Sequence, residues 1–174
     1  MLHSMGRKTQ GNDLESLLTD CHARIRSFLA LALSVGASPD APALENVEAC
    51  ARIERYFTLA LPLHVRDEEE SVLPRLYGSA PDVDAALACM RDEHTVHVEG
   101  IDDLVERCAA VRLRPEDASG YPALLDTARA LQGELEPHLQ AEERVIFPAI
   151  RAFISPGKQR VIIDELRARR TSPT

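Results

Sequence analysis

Two stretches of this chain carry the same chemistry. His64-Val65-Arg66-Asp67-Glu68-Glu69 and His138-Leu139-Gln140-Ala141-Glu142-Glu143 both read H-x-x-x-E-E, and each has a proline ten residues after its histidine, Pro74 and Pro148. On an α-helix four residues advance the chain by about 400°, so the histidine and the first glutamate lie within roughly 40° of each other, one turn apart. An imidazole nitrogen and a carboxylate oxygen placed in this way can hold one metal ion, or two neighbouring ions.

The elements that carry these pairs read as long helices. Hydrophobic residues make up 45% of the sequence and aromatics only 4%, with no Trp, which suits helices better than β-sheet. Asp13 is placed to cap a first helix that runs to about Val35 and stops at Gly36, with His22 on its apolar stripe between Leu18 and Ile25. A second helix starts at Pro42 and runs to about Tyr77 with the stripe Cys50, Ile53, Phe57, Leu61, His64, Glu68 and Val72. A third opens at Ser79-Ala80-Pro81 and runs to about Arg112, with Val83, Leu87, Met90, His94, Ile101, Val105 and Cys108 inward and His97 at the edge. A fourth covers about 122–153, with His138 and Glu142 bracketed by Leu135 and Ile146. Pro62 and Pro137, each just ahead of a motif histidine, are expected to kink or locally loosen their helices there.

The two halves read as a diverged duplication, since His22 precedes His64 by 42 residues and His94 precedes His138 by 44. Two such hairpins give an all-α, antiparallel up-down-up-down four-helix bundle. A short extra C-terminal helix begins at Ser155-Pro156 and runs to about Arg169, with Val161, Ile162 and Leu166 as its packing face. It either folds back on its own bundle or packs on a partner, giving a monomer or a homodimer. The bundle is expected over residues 13–170, after a disordered tail over 1–12.

Four histidines and two glutamates thus fall on the inward stripes: His22, His64, Glu68, His94, His138 and Glu142. Glu and His are costly to bury unless they are paired or ligate metal. The competing reading is a solvated face with both glutamates pointing outward, which the core-spaced Leu61 and Val72, Leu135 and Ile146 oppose. Four imidazoles and two carboxylates suit two first-row ions rather than one tetrahedral zinc, with Glu68 and Glu142 shared between them. Mixed nitrogen and oxygen ligation favours two Fe ions, with Mn or Zn as alternatives, and a bridging hydroxide, oxide or bound small anion would reduce the remaining charge. Glu69 and Glu143 point about 100° away and either face solvent or back the ligands. Arg66, Asp67, Glu70 and Arg144 read as surface charge.

The chain resembles the hemerythrin-like, HHE cation-binding family across about residues 13–153. The resemblance rests on Asp20-Cys21-His22, His64…Glu68-Glu69, Asp92-Glu93-His94 and His138…Glu142-Glu143 followed by Phe147-Pro148. It implies that the four histidines are terminal ligands and the two glutamates bridging ones. The oxygen-carrying members have a second histidine four places after the first on the third helix, where this chain has Val98, and His97 is one step short. A related variant has a carboxylate directly after the first motif's histidine, where this chain has Val65. The expectation is therefore a less saturated, more reactive centre that binds or senses O2, NO or iron. The rival is a di-iron redox enzyme acting on NO or peroxide, or an iron donor for iron–sulfur cluster repair. Cluster-repair members carry an added domain with paired cysteines, whereas Cys21, Cys50, Cys89 and Cys108 are spaced singly.

Composition narrows the partners. A net charge of −8 argues against nucleic acid, whose phosphates need a basic face. Residues 1–12 have no apolar core of a signal peptide, and no run of 18 apolar residues marks a membrane span. With lone, reduced cysteines this points to a cytoplasmic protein.

Overall fold

The computed structural model describes residues 13–171, so the expected tail over residues 1–12, with His3, lies outside them. Among the described residues there are five helices and no strand: α1 (Leu14–Gly36), α2 (residues 43–76), α3 (Pro81–Leu113), α4 (residues 120–153) and α5 (Pro156–Thr171). The first four pack as a ring in which α1 contacts α2 and α4, and α3 contacts the same two. With short connections this is the antiparallel bundle expected from the periodicity. No helix of the described residues is long and apolar enough to cross a membrane.

Local chemistry sets the helix ends. The Asp13 carboxylate accepts from the Ser16 amide at 2.8 Å and caps α1. Gly36 is the last residue of α1 and not a left-handed stop: a Cβ there would lie 2.7 Å from the backbone of Leu125 on α4, so its role is close helix contact. Gly78, with φ of 82°, is the residue that turns the chain out of α2.

The helix is loosened just before Pro62, as expected, but not at Pro137. α2 is α-helical over Ala43–Arg55, Leu61–Arg66 and Leu73–Leu76, and opens into wide turns at Tyr56–Ala60 and Asp67–Val72. α4 opens likewise at Glu142–Ile146. In each wide turn the residue just before a proline donates its amide five residues back: Leu61 to Tyr56, Leu73 to Glu68 and Phe147 to Glu142. The extra residue relieves the contact between the ring of Pro62, Pro74 or Pro148 and the preceding turn. Pro137, by contrast, lies within the regular α-helix Gly120–Ala141. Two of the three wide turns therefore fall at the motif glutamates, ahead of Pro74 and Pro148, and the third lies just ahead of Pro62 and His64.

Two apolar clusters fill the bundle. One, near the α1 C-terminus, includes Ile25, Leu29, Ile53, Phe57, Leu104 and Leu131. The other, near the α1 N-terminus, includes Leu18, Val72, Leu87, Met90, Phe147 and Ile162. α5 folds back on the second cluster through Ile162, Ile163 and Leu166, while Val161, expected inward, is exposed. On α3 the buried face runs Met90, His97, Leu104, Cys108 and Val111, with Ile101 and Val105 only partly buried. His97, expected at the edge, lies seven residues from both Met90 and Leu104 and so shares their buried face.

Candidate metal centre

The layer between the two apolar clusters is polar. The side chains of His22, His64, Glu68, His138 and Glu142 are at most 4% exposed and that of His94 is 7% exposed, so all six residues singled out by the stripes meet there.

Their atoms sort into two sets. His64 Nε2 lies 3.3 Å from Glu68 Oε1, and His22 Nε2 lies 3.1 Å from Glu142 Oε2 and 3.8 Å from Glu68 Oε1. On the other side His138 Nε2 lies 3.2 Å from Glu142 Oε1, while His94 Nε2 lies 3.4 Å from Glu68 Oε2 and 3.8 Å from Glu142 Oε1. Glu68 therefore turns Oε1 towards His22 and His64 and Oε2 towards His94, while Glu142 turns Oε2 towards His22 and Oε1 towards His94 and His138. Ligand atoms of His22, His64, Glu68 and Glu142 all lie within 4.8 Å of one another, as do those of His94, His138 and Glu142.

These atoms lack ordinary partners. His22 Nε2, Glu68 Oε2 and both carboxylate oxygens of Glu142 are buried and make no hydrogen bond. Groups of this kind are costly inside a protein unless something else satisfies them. Two divalent ions would do so: borderline imidazole nitrogens and charged oxygens are ligands of first-row metals, and the carboxylates offset part of the cationic charge.

Outer partners fix the rings. His22 Nδ1 lies 2.9 Å from Glu143 Oε1, His94 Nδ1 2.9 Å from Glu69 Oε1, and His138 Nδ1 2.7 Å from Glu93 Oε2. With Nδ1–H donated outward, Nε2 presents its lone pair to the centre. Glu69 and Glu143 thus back the ligands. Glu93 lies off the inward stripe, and the sequence signal for its role is a carboxylate directly beside His94. His64 Nδ1 is buried without a partner.

The carboxylates and imidazoles set one another's protonation in the metal-free chain. Burial works against a charged His22, but Glu142 and Glu68 outweigh it and raise its pKa to about 10. His94 is raised to about 9, again against burial, chiefly by Glu68. His64 is lowered to about 4 by burial, which Glu68 only partly offsets. Burial raises Glu142, helped by the Glu68 charge, whereas Glu68 is lowered because neighbouring His64, His22 and His94 outweigh burial. Protons on His22 and His94 thus occupy places a cation would take.

Two further residues lie beside this layer, and one of them, Asp67, differs from expectation. His97 belongs to neither ligand set; its ring stands edge-on to His138, with centroids 5.0 Å apart. Asp67, read as surface charge, is fully buried and paired with Arg169 at 2.8 Å and Arg170 at 2.6 Å, both on α5. The periodicity missed it because α5 covers that side of α2; the usable signal was the Arg169-Arg170 pair on a helix of unassigned partner.

A four-helix bundle with a buried histidine and glutamate layer open to cations is the class that fold and site define. The chain matches the family model described as hemerythrin HHE cation binding domain over residues 13–112 and again over 100–169, and it belongs to that family. No curated protein matches the chain.

Proposed function

We propose that the chain is a non-haem di-iron protein that binds or senses O2, NO or iron. His22 and His64 would hold one ion, His94 and His138 the other, and Glu68 and Glu142 would lie between them. The observation that supports this most is the split of each carboxylate, one oxygen towards a histidine of each pair. Iron would supply open coordination positions and one-electron chemistry towards a small diatomic ligand. The chain's own part is to orient the ligand nitrogens through Glu69, Glu93 and Glu143 and to keep the layer dry between two apolar clusters.

Ligand size is limited by the space beside the centre. A cavity of about 30 Å³ touches Leu61, His64, His94, His97, Ile101 and His138. That volume takes a water-sized or diatomic molecule and no larger substrate. Leu61, Val65, His94 and Ile101 line both this cavity and an outer groove of about 460 Å³ between α2 and α3. The test is the absorption spectrum of protein loaded with iron and exposed to air. Bands of a bridged diferric centre, perturbed by NO added to the reduced protein, are expected. A featureless visible spectrum of iron-loaded protein would overturn the reading.

A further inference from the structure

The buried Asp67 lies next to Glu68, and its two oxygens are taken by two arginines of the C-terminal helix. Arg169 Nη1 donates to Oδ1 at 2.8 Å and Arg170 Nη2 to Oδ2 at 2.6 Å. Arg169 Nη2 also donates to Ser71 Oγ at 2.7 Å, at the far end of the same wide turn, and Arg170 reaches the thiol of Cys21, the residue before His22. The second motif has nothing of the kind: superposing the copies on their histidines sets Ala141 against Asp67 and Val145 against Ser71, and Ala141 is exposed.

A wide turn gives up regular α-helical hydrogen bonds, so the side chains on it need holding from outside. Glu68 makes contacts to three histidines and cannot be held by hydrogen bonds of its own Oε2, which has none. Taken with the proposed di-iron reading, on which this rests, we propose that Arg169 and Arg170 are positioning residues of the metal centre. They fix the Asp67–Ser71 turn and thereby the Glu68 carboxylate between the two ion positions. The C-terminal helix is then a part of the metal site and not only a cover for the bundle end.

Cobalt(II) binding tests this in the full chain, followed by competition with a chelator and by the visible d–d bands, with thermal unfolding measured in parallel. Removing the arginines alone leaves Asp67 buried without a partner, which endangers folding. The informative variant is therefore Asp67→Ala combined with Arg169→Ala and Arg170→Ala, which leaves no buried charge. It is expected to fold, to bind cobalt about tenfold or more weakly, and to show altered bands. Each arginine gives Asp67 a single N–H, so Arg169→Lys with Arg170→Lys is expected to restore most of the affinity and the wild-type bands. Ile162→Val loosens α5 without touching Asp67; it is expected to lower the melting temperature and leave cobalt binding unchanged. Wild-type affinity and bands in the triple variant would overturn the positioning role while leaving the metal centre standing. A wild-type chain that binds neither cobalt nor iron would overturn both.

Discussion

The two halves of the centre hold the same ligand types and support them differently. His22 and His94 are matched: each gives Nδ1 to the second glutamate of a motif, Glu143 or Glu69. His64 and His138 are not. His138 has Glu93 behind it, whereas His64 Nδ1 has no partner, and Cys21 stands in α1 where α3 has Glu93. Glu143 is itself held by Arg26 at 2.7 Å, while α3 has Val98 at the corresponding place beside Glu69. The Glu68 turn is tied down by α5, and the Glu142 turn is followed by Phe147, whose ring packs 4.9 Å from that of His22. Two matching sets of histidine and glutamate are thus backed by different outer partners, the kind of contact that tunes affinity and orientation in metal sites.

The comparison breaks most readily at the shared carboxylates. Glu142→Ala and Glu68→Ala each remove an oxygen from both ion positions, so either is expected to take iron content from about two per chain to well below one. His64→Ala removes a nitrogen from one set only and is expected to leave about one ion, by elemental analysis of iron-grown protein. Equal losses from all three variants would erase the distinction between shared and terminal ligands.

A smaller effect is expected from the outer partners. Glu93→Ala makes His138 resemble His64 and should weaken metal binding by roughly 10–100-fold without altering the ligand set. Unchanged affinity, measured by chelator competition, would show that the difference between the halves has no energetic weight.

pH gives a further test. His22 and His94, raised to about 10 and about 9, must give up protons to bind metal, so uptake should release about two protons per chain near neutrality. Affinity should tighten as pH rises towards about 9. The stability of the metal-free chain runs the other way at these residues. A histidine raised above its ordinary value of about 6.5 stabilises the fold below that pH and loses the contribution as pH climbs through the folded value. His64 and His97, both lowered to about 4, act oppositely and weaken the fold as pH falls from about 6.5 towards 4. Metal-free melting temperatures are therefore expected to peak near the ordinary histidine pKa, and a flat profile would contradict the burial pattern.

The smallest change belongs to His97. It touches His138 and the cavity but neither ligand set, so His97→Leu should leave metal content unchanged and shift only the spectrum of the NO complex.

Much of this was readable from side-chain period. Leu18, His22 and Ile25 on one stripe, or Leu61, His64, Glu68 and Val72 on another, state both the helix and its inward face, because burial follows the 3.6-residue repeat. Asp67 was not readable in this way. Its burial depends on α5, which lies 102 residues further along at Arg169, and no local period reports a contact of that range. The wide turns were hidden for a related reason. The disturbance was expected at Pro62 and Pro137, whereas the motif turns widen ahead of Pro74 and Pro148, because whether a helix answers a proline by bending, by gaining a residue per turn or not at all depends on its packing. His97 shows the limit of reading one stripe along a 33-residue helix: the buried face passes through His97 and Leu104 where the expected stripe passed through His94 and Ile101.

The central claim is that two ions lie on either side of Glu68 and Glu142. Anomalous scattering at the iron edge from crystals of iron-loaded protein tests it most directly. Two peaks are predicted within the bundle, one between His22 and His64 and one between His94 and His138, with both carboxylates reaching both. A single peak, or peaks away from this layer, would contradict it.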